Sequence, residues 1–113
     1  METSRTEMFF KLLERDPENP MVLYSLGSEL FKKQKYSEAR EYLTRAIRNK
    51  PDYSVAYRML GRALYELRED AEARRVFAEG SEVAQRNGDL QTVREIDVFV
   101  RRLEKRDGEE AAK

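Results

Sequence analysis

The chain has 113 residues, enough for one domain, and its 22 lysines and arginines balance 22 aspartates and glutamates. This balance argues against general binding to nucleic-acid phosphates or to an anionic membrane, because both require an excess of positive charge. The sequence contains no cysteine and no histidine, which removes disulfides, thiolate metal sites and the commonest general base.

The first predicted helix covers residues 3–15, with Thr3 or Ser4 as its cap and a stop at Asp16-Pro17. Its apolar stripe consists of Phe9, Leu12 and Leu13. Met8 and Phe10 fall off that stripe, so this helix is apolar on more than one side.

Four further helices are predicted at residues 20–33, 36–49, 54–67 and 70–86, as two successive helix pairs. The second pair repeats the pattern of the first pair 34 residues later. The residues predicted to face inward are Leu23, Leu26, Gly27 and Leu30, then Ala39, Leu43, Ala46 and Ile47, then Tyr57, Leu60, Gly61 and Leu64, then Ala73, Phe77, Gly80 and Ala84. We expect Gly27 to lie opposite the small residues of its partner helix, where a larger side chain would overpack the crossing.

A sixth helix is predicted at residues 89–106, after the helix stop at Asn87-Gly88. Its apolar stripe consists of Leu90, Val93, Ile96, Val100 and Leu103. Val98 and Phe99 widen the apolar surface beyond that stripe. Residues 107–113 are expected to form a frayed tail.

The two helix pairs resemble tetratricopeptide repeats, whose pattern places Leu-Gly, Ala, a large residue and Pro at fixed positions over a period of about 34 residues. That pattern is carried by Leu26-Gly27, Ala39, Leu43 and Pro51, and then by Leu60-Gly61, Ala73 and Phe77. The resemblance implies an all-α fold, a short right-handed superhelix of about six antiparallel helices. It implies one domain over residues 1–106: a half-repeat helix (3–17), two repeats (20–53 and 54–87) and a capping helix (89–106).

In this family the first helix of each repeat lines a concave groove that binds peptides, so the resemblance places candidate ligand contacts there. They are Tyr24, Ser28, Phe31, Lys32, Arg58, Arg62 and Tyr65. Arg58 and Arg62 are one helical turn apart and suit a carboxylate, such as a peptide C-terminus or an acidic side chain. The alternative is that both arginines are solvated and pair with Glu66 or Glu29. For Tyr24, Phe31 and Tyr65 the alternative is packing against a neighbouring helix.

We therefore expect a non-enzymatic adaptor that binds a protein or peptide partner, without cofactor or metal, and without affinity for nucleic acid or membrane. The alternative function is a structural subunit that forms a homodimer, or docks a partner, through its end helices at Phe10, Val98 and Phe99. A catalytic triad is excluded without histidine, and the isolated glycines form no phosphate loop. No apolar run reaches the roughly 20 residues of a membrane span, which favours a cytoplasmic location.

Overall fold

The computed structural model describes residues 4–112, and this part of the chain consists of six α-helices without a β-strand. The helices are α1 (Arg5–Arg15), α2 (Pro20–Lys32), α3 (Tyr36–Asn49), α4 (Ser54–Glu66), α5 (Asp70–Arg86) and α6 (Leu90–Ala111). The predicted all-α class with six helices is confirmed. None of these six helices combines the length and the apolarity that crossing a lipid bilayer requires.

Side chains at three helix starts satisfy backbone N–H groups that have no partner within the helix. The hydroxyl of Ser4 accepts a hydrogen bond from the backbone of Glu7 at 3.1 Å, whereas the alternative cap Thr3 lies outside the described residues. Asn19 accepts two backbone hydrogen bonds from the first turn of α2, at 3.0 and 3.2 Å, with Pro20 as the first helical residue. Asp89 caps α6. Side-chain caps therefore fix where these three helices begin.

The helices pack as consecutive antiparallel neighbours, α2 with α3, α4 with α5, and each pair against the next. The inward stripes of α2, α4 and α5 are buried as predicted, and Ile47 of α3 is the one predicted inward residue of these two pairs that is only half-buried. The largest fully buried side chain is Phe77, at the centre of the second pair. Burial of these stripes supplies the main stabilisation of each hairpin, because isolated helices of this length are marginal in water.

The close approach at the helix crossings differs in one respect from the prediction. A Cβ added at Gly27 would lie 2.7 Å from Cγ of Leu43 and 3.5 Å from the carbonyl oxygen of Ala39. A Cβ at Gly61 would lie 2.5 Å from Cδ1 and 2.6 Å from Cζ of Phe77. The backbone of the small residue Ala39 does lie beside Gly27, as expected, but most of the space beside each glycine is filled by a large side chain of the partner helix, which was not expected.

Two leucines assigned to inward stripes are exposed instead. Leu12 of α1 is 44% exposed and Leu90 of α6 is 58% exposed. In α1 the buried residue is Leu13, which faces α2, and no preceding helix covers the side that carries Leu12 within residues 4–112. Leu90 is the first residue of α6, and its side chain is not part of the buried core.

Helix α6 continues to Ala111, five residues past its predicted end at Arg106. Asp107 forms an ion pair with Arg74 of α5, and Glu110 pairs with Arg68 at 3.2 Å. Residues 107–111 are therefore helical rather than the predicted frayed tail, and two of their acidic side chains contact the preceding hairpin.

The turn inside each hairpin has the same unusual backbone conformation. Gln34 between α2 and α3 has a φ of 62°, and Arg68 between α4 and α5 has a φ of 59°. Both lie in the left-handed region, which L-residues with a Cβ adopt rarely. The two positions are 34 residues apart, so the repeat extends to the backbone of its turns.

The helices form two layers, one with α2, α4 and α6 and the other with α1, α3 and α5. Within the described chain, Cα atoms of α2 and α4, and of α4 and α6, come within 8 Å of one another, whereas those of α3 and α5 do not. Helices that converge on one side and diverge on the other make a curved stack, so the layer of α2, α4 and α6 lies on its concave side.

Candidate functional site

The concave surface is built from α2, α4 and α6, and the seven residues that the sequence assigned to a peptide groove are on two of these helices, α2 and α4. Two of the helices are those predicted, α2 and α4. The third, α6, was expected only to cap the array, but it contacts α4 and supplies charged and aromatic side chains to the same surface. We call this surface, from Tyr24 on α2 to Arg106 on α6, the groove.

Arg58 of α4 lies at the centre of a polar chain that crosses all three helices. Its Nη1 donates to Oε2 of Glu95 on α6 at 2.6 Å, and its Nη2 donates to the hydroxyl of Tyr24 on α2 at 3.3 Å. The amide of Gln91 donates to the other oxygen of Glu95 at 3.1 Å. Arg58 is therefore paired with a carboxylate of the protein itself, that of Glu95.

Arg62, one turn further along α4, is held between two aromatic rings. Its guanidinium carbon lies 4.8 Å from the ring centre of Phe31 on α2 and 5.0 Å from that of Phe99 on α6. Burial, followed by the positive charge of Arg58, lowers the pKa of the Arg62 guanidinium. Among residues 4–112 no carboxylate oxygen comes within 4.0 Å of its nitrogens. The two arginines thus have different surroundings.

Three polar atoms in the groove are buried without a partner in the described protein. They are Nε of Arg58, Nε of Arg62 and the hydroxyl oxygen of Ser28. A buried donor or acceptor without a hydrogen bond costs free energy. The groove accordingly holds unused hydrogen-bonding capacity beside its two guanidinium groups.

The solvated pairing that the sequence offered as an alternative does not describe Arg58, because its partner is Glu95 rather than Glu66 or Glu29. Glu29 instead pairs with Arg5 and with the exposed Lys32, both at 3.4 Å. The contact between Arg58 and Glu95 was not predictable from the sequence, because 37 positions separate the two residues and no period relates them.

The three predicted groove aromatics pack against neighbouring helices. Tyr24 lies 5.3 Å from the ring of Tyr53, Phe31 lies 5.2 Å from that of Tyr36, and Tyr65 lies 5.7 Å from that of Phe99. Each ring remains half-buried, with one part in the core and one part on the groove surface. Packing against a neighbour and lining the groove are therefore compatible at these positions.

Phe99 belongs to the groove in the structure, although the sequence assigned it to an end interface. It stacks on Phe77 at 5.9 Å, contacts Tyr65 and lies beneath Arg62. A signal for this position exists in the sequence, because Phe31, Tyr65 and Phe99 follow one another at intervals of 34 residues. The two predicted repeats end at residue 87, so the third position of this series lay outside them.

Two further arginines of α6 extend the cationic character of the groove. Arg102 lies 4.7 Å above the ring of Phe99. Arg106 lies 3.7 Å above the ring of Tyr65 and pairs with Asp70 at 2.8 Å. With Arg62, they place three guanidinium groups on the aromatic residues of one surface, an arrangement suited to an anionic or aromatic ligand.

The other predicted interface residues lie at the ends of the array. Phe10 is 40% exposed, with its edge against the ring of Tyr42 at 5.9 Å, and Val98 is 45% exposed. Met8 and Leu12 of α1 are also exposed. At the opposite end an apolar cleft of about 540 Å³ separates α5 from α6 and includes Val93 and Val100. Both ends of the stack thus present apolar side chains.

Comparison with known proteins agrees with this architecture. A family model described as tetratricopeptide repeat matches residues 30–95. A TPR repeat-containing protein of Pseudomonas aeruginosa is 30% identical over 95 residues, which is 84% of this chain and 90% of the relative. The chain therefore belongs to the tetratricopeptide repeat family, whose repeats generally serve protein–protein interaction.

Two solved structures have similar folds. A protein from Bordetella parapertussis, determined in solution, has a TM-score of 0.85 and 32% identity, over 98% of this chain and 96% of that one. The TPR2B domain of yeast Sti1, determined in a complex with pHsp70, has a TM-score of 0.85 and 20% identity, over 89% of this chain and 81% of that one. The second likeness concerns the fold alone.

Proposed function

We propose that this protein is a non-enzymatic adaptor whose groove binds an acidic segment of a protein partner, with Arg62 as the main anchor for a carboxylate. The observation that carries this proposal is the position of Arg62 between Phe31 and Phe99 without a carboxylate from the described chain. Tyr24, Ser28, Lys32 and Tyr65 would border the bound segment.

The geometry of Arg62 favours a carboxylate ligand. The N–H groups of a guanidinium lie in its plane, so the hydrogen bonds of Arg62 leave through the edges of the group. Two parallel N–H groups on one edge match the two oxygens of a carboxylate. Partial burial strengthens such a contact, since the same pair in bulk water would be screened by solvent.

The electrostatic surroundings support the same ligand class. The positive charge of Arg58 contributes to the lowered pKa of Arg62, so an anion near Arg62 would relieve repulsion between like charges. Arg102, on the same ring of Phe99, adds a second cation to the region. The presence of a protein partner in the complex of the Sti1 domain supports a peptide or protein ligand in general.

The test measures peptide affinity by calorimetry, with an acidic peptide and the same peptide carrying glutamine for glutamate and a C-terminal amide. We expect Arg62→Gln to weaken binding of the acidic peptide about tenfold, the scale of one lost charge-assisted hydrogen bond. Arg101→Gln is the matched control, because Arg101 is exposed on α6 and pairs with Asp97 at 2.8 Å. Equal affinity of wild type and Arg62→Gln for the acidic peptide would refute the role of Arg62.

A second candidate function is assembly through the end helices, as a homodimer or with another protein. It is favoured by the exposed apolar residues of α1, which are Met8, Phe10 and Leu12. We expect light scattering over a dilution series to report self-association that Phe10→Ser weakens and Arg62→Gln leaves unchanged. A monomer at every concentration would exclude the dimer.

A further inference from the structure

We propose that Glu95 acts as the groove's own carboxylate, occupies Arg58, and so limits the groove to ligands with one acidic group at Arg62. This inference rests on the proposed function of the groove. It makes Glu95 a specificity-determining residue, because it excludes a second ligand carboxylate from the neighbouring arginine.

The contacts of Arg58 leave little room for an external acid. One terminal nitrogen is 2.6 Å from Glu95 and the other is 3.3 Å from the hydroxyl of Tyr24. The side chain of Arg58 is only 16% exposed. A ligand carboxylate at Arg58 would therefore have to displace Glu95 and meet the repulsion of that negative charge.

Glu95 itself lies at the surface of the groove, with 39% of its side chain exposed. The amide of Gln91 holds its second oxygen, so the carboxylate is oriented from α6 toward α4. Arg58 and Arg62 are one turn apart on the same side of α4. The carboxylate of Glu95 therefore occupies at Arg58 the position that a ligand carboxylate would occupy at Arg62. Neutralising Glu95 would then leave two adjacent guanidinium groups available to a ligand.

A purely structural role for the same pair is the competing explanation, because the ion pair also joins α4 to α6. The two roles differ in their effect on binding. A structural brace loses only stability when its charge is removed, whereas a competing carboxylate leaves the groove with higher affinity for acids. Asp97→Asn supplies the matched charge change, because Asp97 is also on α6 but pairs with the exposed Arg101.

The experiment compares two peptides, with one and with two adjacent glutamates, against wild type, Glu95→Gln and Asp97→Asn. We expect Glu95→Gln to bind the diacidic peptide about tenfold more tightly than wild type and the monoacidic peptide with a change below about twofold. Asp97→Asn should match wild type for both peptides. Unchanged or weaker binding of the diacidic peptide by Glu95→Gln would overturn the proposal.

A second probe separates this inference from the proposed function. Inorganic phosphate, followed by NMR through the side-chain N–H signals of Arg58 and Arg62, should bind Glu95→Gln more tightly than wild type. If no peptide binds either protein but phosphate shows this gain, the peptide-binding function fails and the role of Glu95 stands. If phosphate shows no gain either, the role of Glu95 is refuted.

A double variant keeps the test valid if Glu95→Gln alone does not fold. Arg58→Gln/Glu95→Gln removes both charges and leaves neither ion unpaired. We expect it to show none of the tenfold gain for the diacidic peptide, because the guanidinium group that the loss of Glu95 would free is also absent. A loss of affinity about as large as that of Arg62→Gln would indicate that Arg58 already binds the ligand, and would overturn the proposal.

Discussion

Replacement of Gly61 by alanine would introduce a methyl group where the ring of Phe77 already lies. The added Cβ would be 2.5 Å from Cδ1 and 2.6 Å from Cζ of that ring. These separations are far below the contact distance of two carbon atoms, about 3.5–4.0 Å. Phe77 is fully buried, so its ring cannot move into solvent and must displace its neighbours in the second hairpin.

The expected loss of stability combines two opposing terms. Overpacking of a dense core costs about 1–3 kcal/mol. Alanine has a higher helix propensity than glycine, which offsets this loss of stability by up to about 1 kcal/mol. We therefore expect Gly61→Ala to lower the free energy of unfolding by about 1–2 kcal/mol, or the melting temperature by roughly 4–8 °C for each kcal/mol.

The assay is thermal and urea unfolding followed by circular dichroism, with Gly108→Ala as the control. Gly108 also lies in a helix, but no atom lies within 4 Å of an added Cβ. Gly108→Ala should therefore be neutral or stabilising through helix propensity alone. In a double-mutant cycle Phe77→Leu should recover part of the loss at position 61, since Leu43 fills the corresponding place beside Gly27. Equal stability changes in the two alanine variants would refute the close packing at Gly61.

Three smaller predictions concern other contacts and use urea unfolding. Asp89→Ala should cost about 1–2 kcal/mol, because it removes the α6 cap and the acceptor of Ser54, 2.7 Å away. Hydrogen bonds from Thr92 and Ser54 lower the pKa of Asp89 from its usual value of 3.8. The stabilisation by the ionised Asp89 is therefore fully present above pH 3.8 and is lost as the pH falls through the lower pKa of the folded state. The Asp89→Asn variant should consequently lose less stability in acid than wild type. Tyr57→Phe removes the 2.7 Å hydrogen bond from the Tyr57 hydroxyl to the carbonyl oxygen of Pro51 and should lower the free energy of unfolding by about 1 kcal/mol. An unchanged midpoint of urea unfolding would contradict this.

The fold was readable from the sequence because its stabilising contacts recur at a fixed period. Leu26-Gly27 and Leu60-Gly61 mark the same crossing in two hairpins, and both pairs are buried. Ser4, one of the two caps predicted for the first helix, accepts a hydrogen bond from the backbone of Glu7. Such signals lie within a few residues of one another or one repeat apart, so the residue order alone contains them.

The remaining features depend on contacts that no period relates. Glu95 reaches Arg58 because α6 lies beside α4, and a charged residue on a helix does not reveal which neighbouring helix it faces. The contact of Asp107 with Arg74 on α5, beyond the predicted end of α6, is likewise not related to any period. Leu12 was assigned to the core because helical spacing identifies an apolar side without showing whether another helix covers it. The sequence therefore predicted the helices α2 and α4 that contribute to this surface, but not the charge arrangement between them.

The left-handed residues Gln34 and Arg68 have a consequence for anyone who lengthens this protein as a building block. A side chain in this conformation costs roughly 1 kcal/mol relative to glycine, and the chain accepts that cost at the same point of both hairpins. In an extended array of identical units, glycine at this point would raise the stability of every unit. The gains would accumulate with array length, because each unit interacts only with its neighbours.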